Sequence, residues 1–353
     1  MKLNKRIALI LAIVIMATTM AACGKKDDGG DAPAKDGDAP TIGVLYYNYG
    51  DAYISTVRNN FEEMAAAEGF ELNSQDAQND QAKQNDELDN VISKGAECVL
   101  VNIVDTGAAP TVIEKVKAAG LPLILFNREP EDIEVYKEYD LARFVGTNKP
   151  EAGVIQGEMI AKDWADGKIV DRNGNGKLDY VMLHGGLDNA EAIARTKYSV
   201  ETIEANGIEV NEIGMQIAAW DTEQAKNAMD AWIAKDLDNI DVVIANNDSM
   251  AIGAINALKA SGYNVYDEKA GALQDSDKLI PAYGVDATEE AQEAISQGIM
   301  AGTVKQDAEA MAKALITLAK NAVEGKDFLE GTDYEYDESG FAVRIPYQPY
   351  TGK

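Results

Sequence analysis

The chain has 353 residues, of which 46% are hydrophobic and 26% charged, and its net charge is −28 at pH 7. This length is enough for two domains that each bury a core. Such acidity disfavours nucleic acids and anionic membrane surfaces as partners. The chain contains one histidine and two cysteines. Zinc sites with several histidine ligands are therefore excluded, and a Ser-His-Asp arrangement has only one candidate imidazole.

The N-terminal segment 1–22 predicts a signal peptide, because a short basic region precedes the apolar run 7–22. This run is too short for a comfortable membrane span. It ends in Ala-Ala-Cys, which resembles the lipobox of bacterial lipoproteins. We therefore expect lipidation of Cys23 and an extracytoplasmic protein held at the cell membrane by lipid alone, with an ordinary cleaved signal as the alternative. Segment 24–40 contains only Gly, Pro, Ala, Asp and Lys, so residues 23–40 are predicted to form a flexible tether.

The second cysteine and the histidine both stand in apolar runs. If Cys23 is lipidated, Cys98 cannot form an internal disulfide. Because it lies in the run AECVLVNIV, we expect it to be a buried small hydrophobe. His184 ends the run YVMLH, and we interpret it as a structural residue.

From Thr41 onward, apolar runs alternate with amphipathic segments. The predicted strands are TIGVLYY, FELNSQDA, CVLVNIV, PLILFN, RFVGTN, DYVMLHG, IEVNEIGMQ, DVVIANND, IPAYGVDA and AGTVKQD. The first predicted helix is capped by Ser55 and ends at Gly69, and the second closes at Gly95. The later helices are predicted over 112–119, 150–165, 190–206, 222–235, 250–261, 289–297 and 308–325. This alternation indicates an α/β protein with two doubly wound halves, whose parallel sheets are covered on both faces. The acidic segment 265–278 is predicted to be a surface loop.

Ligands of such sheets bind outside the carboxyl ends of the strands. The residues at those ends are polar, and they comprise 48–53, 127–129, 247–248, 285–286 and 306–307. Carboxylates and amides suit a neutral ligand rich in hydroxyl groups. A phosphate-cradling glycine loop is absent from the strand-to-helix junctions of the sequence. One aromatic ring from each half, Tyr53 and Trp220, could clamp a pyranose, and packing of these rings in a core is the alternative.

Long motifs in both halves point to a known family. They are SQDAQNDQAKQNDELDNVISKG, LFNREP, AAWDTEQAKNAMDAW, VVIANNDSMAIGAI, YGVDA and AGTVKQDA. From Thr41 to about Lys326 the chain closely resembles the bacterial galactose/glucose-binding proteins, which are substrate-binding subunits of ABC sugar importers and not enzymes. The resemblance implies a type I periplasmic binding protein fold, with two Rossmann-like domains joined by a three-segment hinge and closing on one hexose, glucose or galactose.

The resemblance also implies domain boundaries. The N-terminal domain is expected to comprise 41–146 plus 308–340. The C-terminal domain is expected to comprise 147–307 plus 341–353 and to carry a calcium site. The hinge should lie near 147–148, 306–307 and Arg344.

Carried over residue by residue, the resemblance implies ten sugar-binding side chains. They are Asp51, Tyr53, Asn127, Asn189, Glu191, Arg195, Trp220, Asn247, Asp286 and Gln306. The sequence departs from the family at Asn189-Ala190-Glu191, where the family has His-Pro-Asp, and at Gln306, where it has Asn. Glu and Gln each carry their polar group one methylene farther into the cleft, which can break a well-aligned hydrogen bond. The preferred sugar is therefore left open.

The stretch DRNGNGKLD at 171–179 reads like the first nine residues of an EF-hand calcium loop, with Gly176 at the sharp turn and Met182 in place of the final Glu. The resemblance implies a structural calcium ion held by hard oxygen ligands. The implied ligands are Asp171, Asn173, Asn175, the backbone carbonyl of Lys177, Asp179 and Asp241. The alternative is an Asn-Gly turn without metal.

The implied protein is a monomeric ligand trap that closes on its sugar and then docks on a membrane permease. A ligand receptor for sugar chemotaxis or sensing shares the fold and the ligand, and is one alternative. A secreted glycoside hydrolase using Asp51 and Asp286 as paired carboxylates is the other. It is disfavoured because the sequence has no catalytic motif.

Overall fold

The computed structural model describes residues 39–130 and 132–352. The predicted signal peptide, Cys23 and nearly all of the predicted tether lie outside the described residues. Within these two ranges, none of the helices combines the length and the apolar character that crossing a membrane requires.

The described chain contains fourteen strands and nine α-helices. The strands are β1 (Thr41–Tyr46), β2 (Glu71–Asp76), β3 (Cys98–Val101), β4 (Leu123–Phe126), β5 (Ala142–Gly146), β6 (Leu178–His184), β7 (Val210–Ile217), β8 (Val242–Ala245), β9 (Tyr266–Asp267), β10 (Ala272–Leu273), β11 (Ala282–Asp286), β12 (Gly302–Lys305), β13 (Ala342–Arg344) and β14 (Gln348–Tyr350). The helices are α1 (Ala52–Glu68), α2 (Gln81–Ser93), α3 (Ala109–Ala119), α4 (Lys149–Ala165), α5 (Ala190–Ala205), α6 (Thr222–Asp236), α7 (Asp248–Ala260), α8 (Glu289–Ser296) and α9 (Ala308–Val323). Every strand and helix predicted from the alternation is present.

Two six-stranded sheets form the centres of two lobes. The first sheet has the order β13-β5-β4-β3-β1-β2, and the second has the order β14-β12-β11-β8-β6-β7. Within these two sheets, all pairings are parallel except that of β12 with β14. The predicted doubly wound α/β fold is therefore confirmed.

Each sheet is buried on both faces, as the continuous apolar runs require. In β3, Cys98 and Leu100 face the layer of α1 and α9, while Val99 and Val101 face the layer of α2 and α3. All four are fully buried. Burial raises the pKa of the Cys98 thiol to about 12, so this cysteine is the inert core residue that the sequence predicted.

One local expectation was wrong. The first helix begins at Ala52, because Asp51 caps it by accepting the backbone N–H of Ile54 at 2.8 Å. The Ser55 hydroxyl instead donates to the carbonyl of Tyr49 at 2.7 Å. The segment 265–278 lies at the surface, as predicted, and it also contains a short hairpin, in which β9 pairs with β10.

The chain passes between the lobes three times, at 147–148, 306–307 and 345–347. The expected domain boundary at 341 is wrong by one strand. β13 pairs in parallel with β5, where Val343 lies opposite Val145, and so it belongs to the first lobe. The third crossing follows Arg344 and leads into β14 of the second lobe.

Candidate functional site

The carboxyl ends of the two sheets border one polar cavity. All ten predicted sugar-contacting residues line it, together with three residues that the sequence analysis did not assign to the site. The thirteen lining residues are Tyr47, Asp51, Tyr53, Ile54, Asn127, Arg128, Asn189, Glu191, Arg195, Trp220, Asn247, Asp286 and Gln306. Both lobes therefore contribute polar groups and one predicted stacking ring each.

Three of the lining residues have left-handed backbone conformations. The φ angle is 63° at Asn127, 65° at Trp220 and 125° at Asp286. Asparagine tolerates this region, but a bulky residue such as tryptophan seldom adopts it. Such strain concentrates at sites where the surrounding structure fixes a functional side chain.

A glycine makes room for the Trp220 ring. A Cβ atom added at Gly185 would come within 2.3 Å of that ring, so the indole lies directly against the backbone after β6. The second ring is on the opposite lobe, where the Tyr53 hydroxyl donates to the sulfur of Met311 at 3.5 Å. Tyr53 is part of the first core and also lines the cavity. It thus fits both the packing and the stacking interpretations.

Asp51 and its neighbours form a fixed polar wall on the first lobe. One carboxylate oxygen of Asp51 caps α1, and the other accepts the Tyr47 hydroxyl at 2.5 Å. The Arg128 guanidinium lies 3.6 Å from the centroid of the Tyr47 ring and donates to the carbonyl of Val104 at 2.8 Å. Arg128 belongs to the polar strand end 127–129 noted in the sequence, although the resemblance assigned it no contact with sugar. Tyr47 directly precedes the strand end 48–53, and its position after β1 is the signal that could have identified it.

Arg195, on α5, is 4% exposed and lies at the centre of the second-lobe wall. Its Nη1 donates to the carbonyl of Asn246 at 2.7 Å. Its Nη2 donates to Gln306 Oε1 at 3.2 Å and to the Tyr347 hydroxyl at 2.9 Å. Within the described residues, Arg195 Nε and Gln306 Nε2 are buried and have no hydrogen-bond partner.

Glu191 is 6% exposed, and neither of its carboxylate oxygens finds a donor in the described part of the chain. Burial raises the pKa of the Glu191 carboxyl to about 7, opposed by the positive charges of Arg195 and Lys149. Two residues back, Asn189 Oδ1 accepts the N–H of Ala192 at 3.0 Å and caps α5. The amide oxygen of Asn189 is thus engaged, and its NH₂ group is the part that can serve a ligand.

The other carboxylate of the second-lobe wall, Asp286, is 8% exposed. Burial raises the pKa of Asp286 well above its usual value, opposed by Arg195 and reinforced by the nearby Asp248 and Asp51. Asp248 does not line the cavity and is occupied by other groups. It accepts the Thr303 hydroxyl at 2.6 Å and the N–H of Thr288 at 2.8 Å. Its neighbour Asn247 caps α7 through the N–H of Met250 at 3.0 Å and does line the cavity.

His184 lies outside the cavity lining. It is 3% exposed, and its Nδ1 accepts the N–H of Gly186 at 3.0 Å. Burial lowers its pKa, which keeps the imidazole neutral. These contacts agree with the structural role expected from the sequence.

The loop predicted to bind metal folds around Asp179, which is fully buried. The side-chain amides of Asn173 and Asn175 donate to Asp179 Oδ2 at 2.6 and 2.8 Å. Asp171 accepts backbone N–H groups of the loop, including that of Gly176 at 2.8 Å. Asp241 accepts the N–H of Asp179 at 2.9 Å. The structure therefore brings the predicted side chains of the loop and the distant Asp241 together.

The donor chemistry of this loop suits calcium, because it offers carboxylate, amide and backbone oxygens. Burial raises the pKa of Asp241, and the nearby charges of Asp179 and Asp171 add to this effect. A cation would relieve that repulsion. In the present arrangement the loop's own N–H groups occupy the carboxylates. The described residues contain no group of three acidic, histidine or cysteine side chains placed to hold a metal ion.

Comparisons with known proteins agree with the fold and the motifs. The family model of the periplasmic binding protein domain matches residues 42–327. The D-galactose/methyl-galactoside binding periplasmic protein MglB of Haemophilus influenzae is 38% identical over 90% of this chain and 91% of its own length. The ribose import binding protein RbsB of Bacillus subtilis is 24% identical over 92% of this chain and 95% of its own length.

A solved structure of a solute binding protein has a similar fold. The ABC transporter solute binding protein of Bacillus halodurans with bound myo-inositol is similar, with a TM-score of 0.73 and 28% identity. The match covers 90% of this chain and 96% of that chain. The resemblance predicted from the sequence motifs is confirmed, and the chain belongs to the periplasmic binding protein family, whose members are extracytoplasmic binding proteins for transport and not enzymes.

Proposed function

We propose that this protein captures a hexose, glucose or galactose, in the cavity between its lobes and delivers it to an ABC transporter permease. The observation that carries the proposal is the mixture of unpartnered groups in that cavity. Glu191 presents two acceptors, while Arg195 Nε and Gln306 Nε2 are donors. Each hydroxyl group can both donate and accept. A neutral polyhydroxylated ring therefore satisfies both kinds of group without introducing a charge.

The two aromatic rings support a ring-shaped ligand. Tyr53 on the first lobe and Trp220 on the second both line the cavity, and the C–H faces of a pyranose can pack against such rings. MglB is named for D-galactose and methyl-galactoside, and the solved relative holds myo-inositol, which is another hydroxylated ring. The identity to MglB is 38%, and Asn189, Glu191 and Gln306 depart from the motifs of the galactose/glucose-binding proteins, so the choice between glucose and galactose needs a direct measurement.

The mechanism we propose is closure around the ligand. Asp51, Tyr53 and Asn127 come from the first lobe, whereas Glu191 and Trp220 come from the second. A sugar that contacts both sets binds the closed form more tightly than the open form, and so it shifts the population toward closure. The three crossings are the places where the lobes can rotate. The closed surface is then what the permease recognises.

Isothermal titration calorimetry with glucose, galactose, xylose, ribose, arabinose and myo-inositol tests the proposal. We expect one of the two hexoses to bind most tightly with a stoichiometry of one. Absence of binding to every sugar in the series, by a protein that melts cooperatively, contradicts the proposed function. Tighter binding of a pentose or of the inositol contradicts the hexose assignment alone.

Two further features belong to this proposal. We propose that the loop 171–179 and Asp241 hold a structural calcium ion, supported by their clustered oxygen donors. We also propose that Cys23 carries the lipid that keeps the protein at the membrane, supported by the Ala-Ala-Cys ending of the signal peptide. Chemotaxis or sensing would use the same sugar-bound closed form and needs no different site.

A further inference from the structure

The three crossings between the lobes meet at one buried cluster, which we call the crossing cluster: Thr147, Arg195, Gln306 and Tyr347. Thr147 belongs to the first crossing, Gln306 to the second and Tyr347 to the third. The hydroxyl of Tyr347 accepts from Arg195 Nη2 at 2.9 Å and from Thr147 Oγ1 at 3.1 Å. Gln306 Oε1 accepts from the same Arg195 nitrogen at 3.2 Å. One guanidinium is thus linked to all three crossings.

The crossing cluster is shielded from water. Thr147 is 1% exposed, Gln306 3%, and Tyr347 and Arg195 4% each. A hydrogen bond lost in such a place is not replaced by a bond to solvent, and the remaining partner keeps an unsatisfied polar group. The positions of the side chains in the crossing cluster therefore depend strongly on each of its hydrogen bonds.

Arg195 also forms part of the cavity wall, whereas Tyr347 and Thr147 do not. The guanidinium is planar, so fixing its two terminal nitrogens also fixes the direction of its third N–H. That third nitrogen, Nε, is buried and has no partner among residues 39–130 and 132–352. Of the three guanidinium nitrogens it is the one that the described residues leave without any acceptor, and its N–H can donate to an oxygen of the ligand.

We propose that Tyr347 is a positioning residue that holds Arg195 in the orientation required by the ligand and couples ligand contact to all three crossings. The inference rests on the sugar binding proposed above. Tyr347 acts through Arg195, because its hydroxyl is directed to the guanidinium from the side of the third crossing. A ligand oxygen at Arg195 Nε then joins a network that already links the three crossings, and through it ligand contact acts on all of them.

The test is the variant Tyr347→Phe, which removes the hydroxyl and keeps the ring. Its affinity is measured by calorimetry with the sugar that binds wild-type protein most tightly, and its stability by the melting temperature without sugar. We expect the Kd to rise about tenfold or more, because Arg195 loses its fixed orientation. We expect the melting temperature without sugar to fall as well, because the buried Arg195 and Thr147 each lose a hydrogen-bond partner.

The matched control is Tyr283→Phe in the same lobe. The buried Tyr283 donates to Asp163 Oδ2 at 2.7 Å on the face of the sheet that packs against α4, away from the cavity lining. This variant also loses one tyrosine hydroxyl bond. It should lower the melting temperature while leaving the Kd within about twofold of wild type. A merely structural role of Tyr347 predicts the same pattern for both variants.

A second variant addresses the route of the effect. If Thr147 acts through the Tyr347 hydroxyl, Thr147→Val should weaken sugar binding, and the double variant should be no weaker than Tyr347→Phe alone. If the two residues acted independently, the fold-changes in Kd of the two single variants would instead multiply in the double variant. Thr147→Val also serves as the test if Tyr347→Phe does not fold.

The outcomes separate this inference from the proposed function. A wild-type protein that binds none of the sugars contradicts the proposed function. A wild-type protein that binds sugar, with Tyr347→Phe and Thr147→Val both within twofold of it, overturns the positioning role alone. Multiplicative effects in the double variant overturn the connection of Thr147 through Tyr347.

Discussion

Glu191 should make sugar capture depend on pH. Its carboxylate has no hydrogen-bond donor in the described part of the chain, and burial raises its pKa to about 7. Other charges that act on this carboxyl are those of Arg195, Lys149, Glu129 and Arg344, and Asp286 lines the same cavity. Sugar hydroxyls that donate to Glu191 favour its ionised form and lower its pKa. Binding should therefore release a proton.

The size of the effect follows from the two pKa values. If bound sugar returns the pKa of Glu191 to its ordinary value of 4.5, nearly every protein molecule must lose the Glu191 proton when it binds sugar at pH 6. At pH 8 it has already done so. The affinity should therefore fall about tenfold between pH 8 and pH 6, which corresponds to about 1.4 kcal/mol. The number of protons released at pH 6 should be about 0.9.

The assay is calorimetry at pH 6, 7 and 8 in pairs of buffers with different ionisation enthalpies, which counts the released protons. The variant Glu191→Gln keeps the size of the side chain and cannot ionise. It should lose the pH dependence that Glu191 contributes, and any dependence that remains is assigned to Asp286. The control is Glu87→Gln, because Glu87 also has a raised pKa owing to burial but lies outside the cavity lining. Equal proton release by wild-type protein and Glu191→Gln would refute this reasoning.

Three other predictions concern the ring, the metal loop and the anchor. Trp220→Ala should raise the Kd for the hexose at least thirtyfold, since the apolar contact between the ring and the sugar contributes about 2 kcal/mol of binding free energy. The sugar-free melting temperature should stay within a few degrees, and retained affinity in calorimetry would argue against the assigned cavity. Chelation should lower the melting temperature and added calcium should restore it, whereas the melting temperature of the variant Asp179→Asn should not respond to either. An unchanged melting temperature of the wild-type protein on chelation would contradict the proposed calcium site. Cys23→Ala should move the protein from the membrane fraction to the soluble fraction, and unchanged fractionation contradicts the lipid anchor.

The sequence predicted the elements of the fold because the strands are buried on both faces. A run such as CVLV can be continuous only where helices cover both sides of a sheet, and β3 has that environment. The start of α1 was missed because Asp51 and Ser55 are both good capping residues, and the sequence does not reveal which backbone N–H groups each will meet. β13 was assigned to the wrong lobe because a three-residue strand carries no periodic pattern.

The residues of the candidate site were predicted through motif resemblance. The contacts that these side chains make with each other were not. The ten residues assigned to sugar binding all line one cavity. Tyr47 was missed because it ends the apolar run TIGVLYY, and its stacking on Arg128 joins two strand ends that are far apart in sequence. The unpartnered state of Glu191 depends on how the start of α5 faces the cavity. The sequence identifies the glutamate, but it does not reveal that no hydrogen-bond donor of the described residues lies near its carboxylate.

The late position of β13 and β14 has a consequence for biogenesis. Each of these strands forms one edge of a different sheet, and both lie beyond residue 340. Neither sheet can therefore close its hydrogen-bonded ladder until the ribosome has made residues 342–350. A chain destined for the outside of the cytoplasm thus lacks an edge strand in each sheet during most of its synthesis, and this delay favours threading through a translocation channel before the protein becomes rigid.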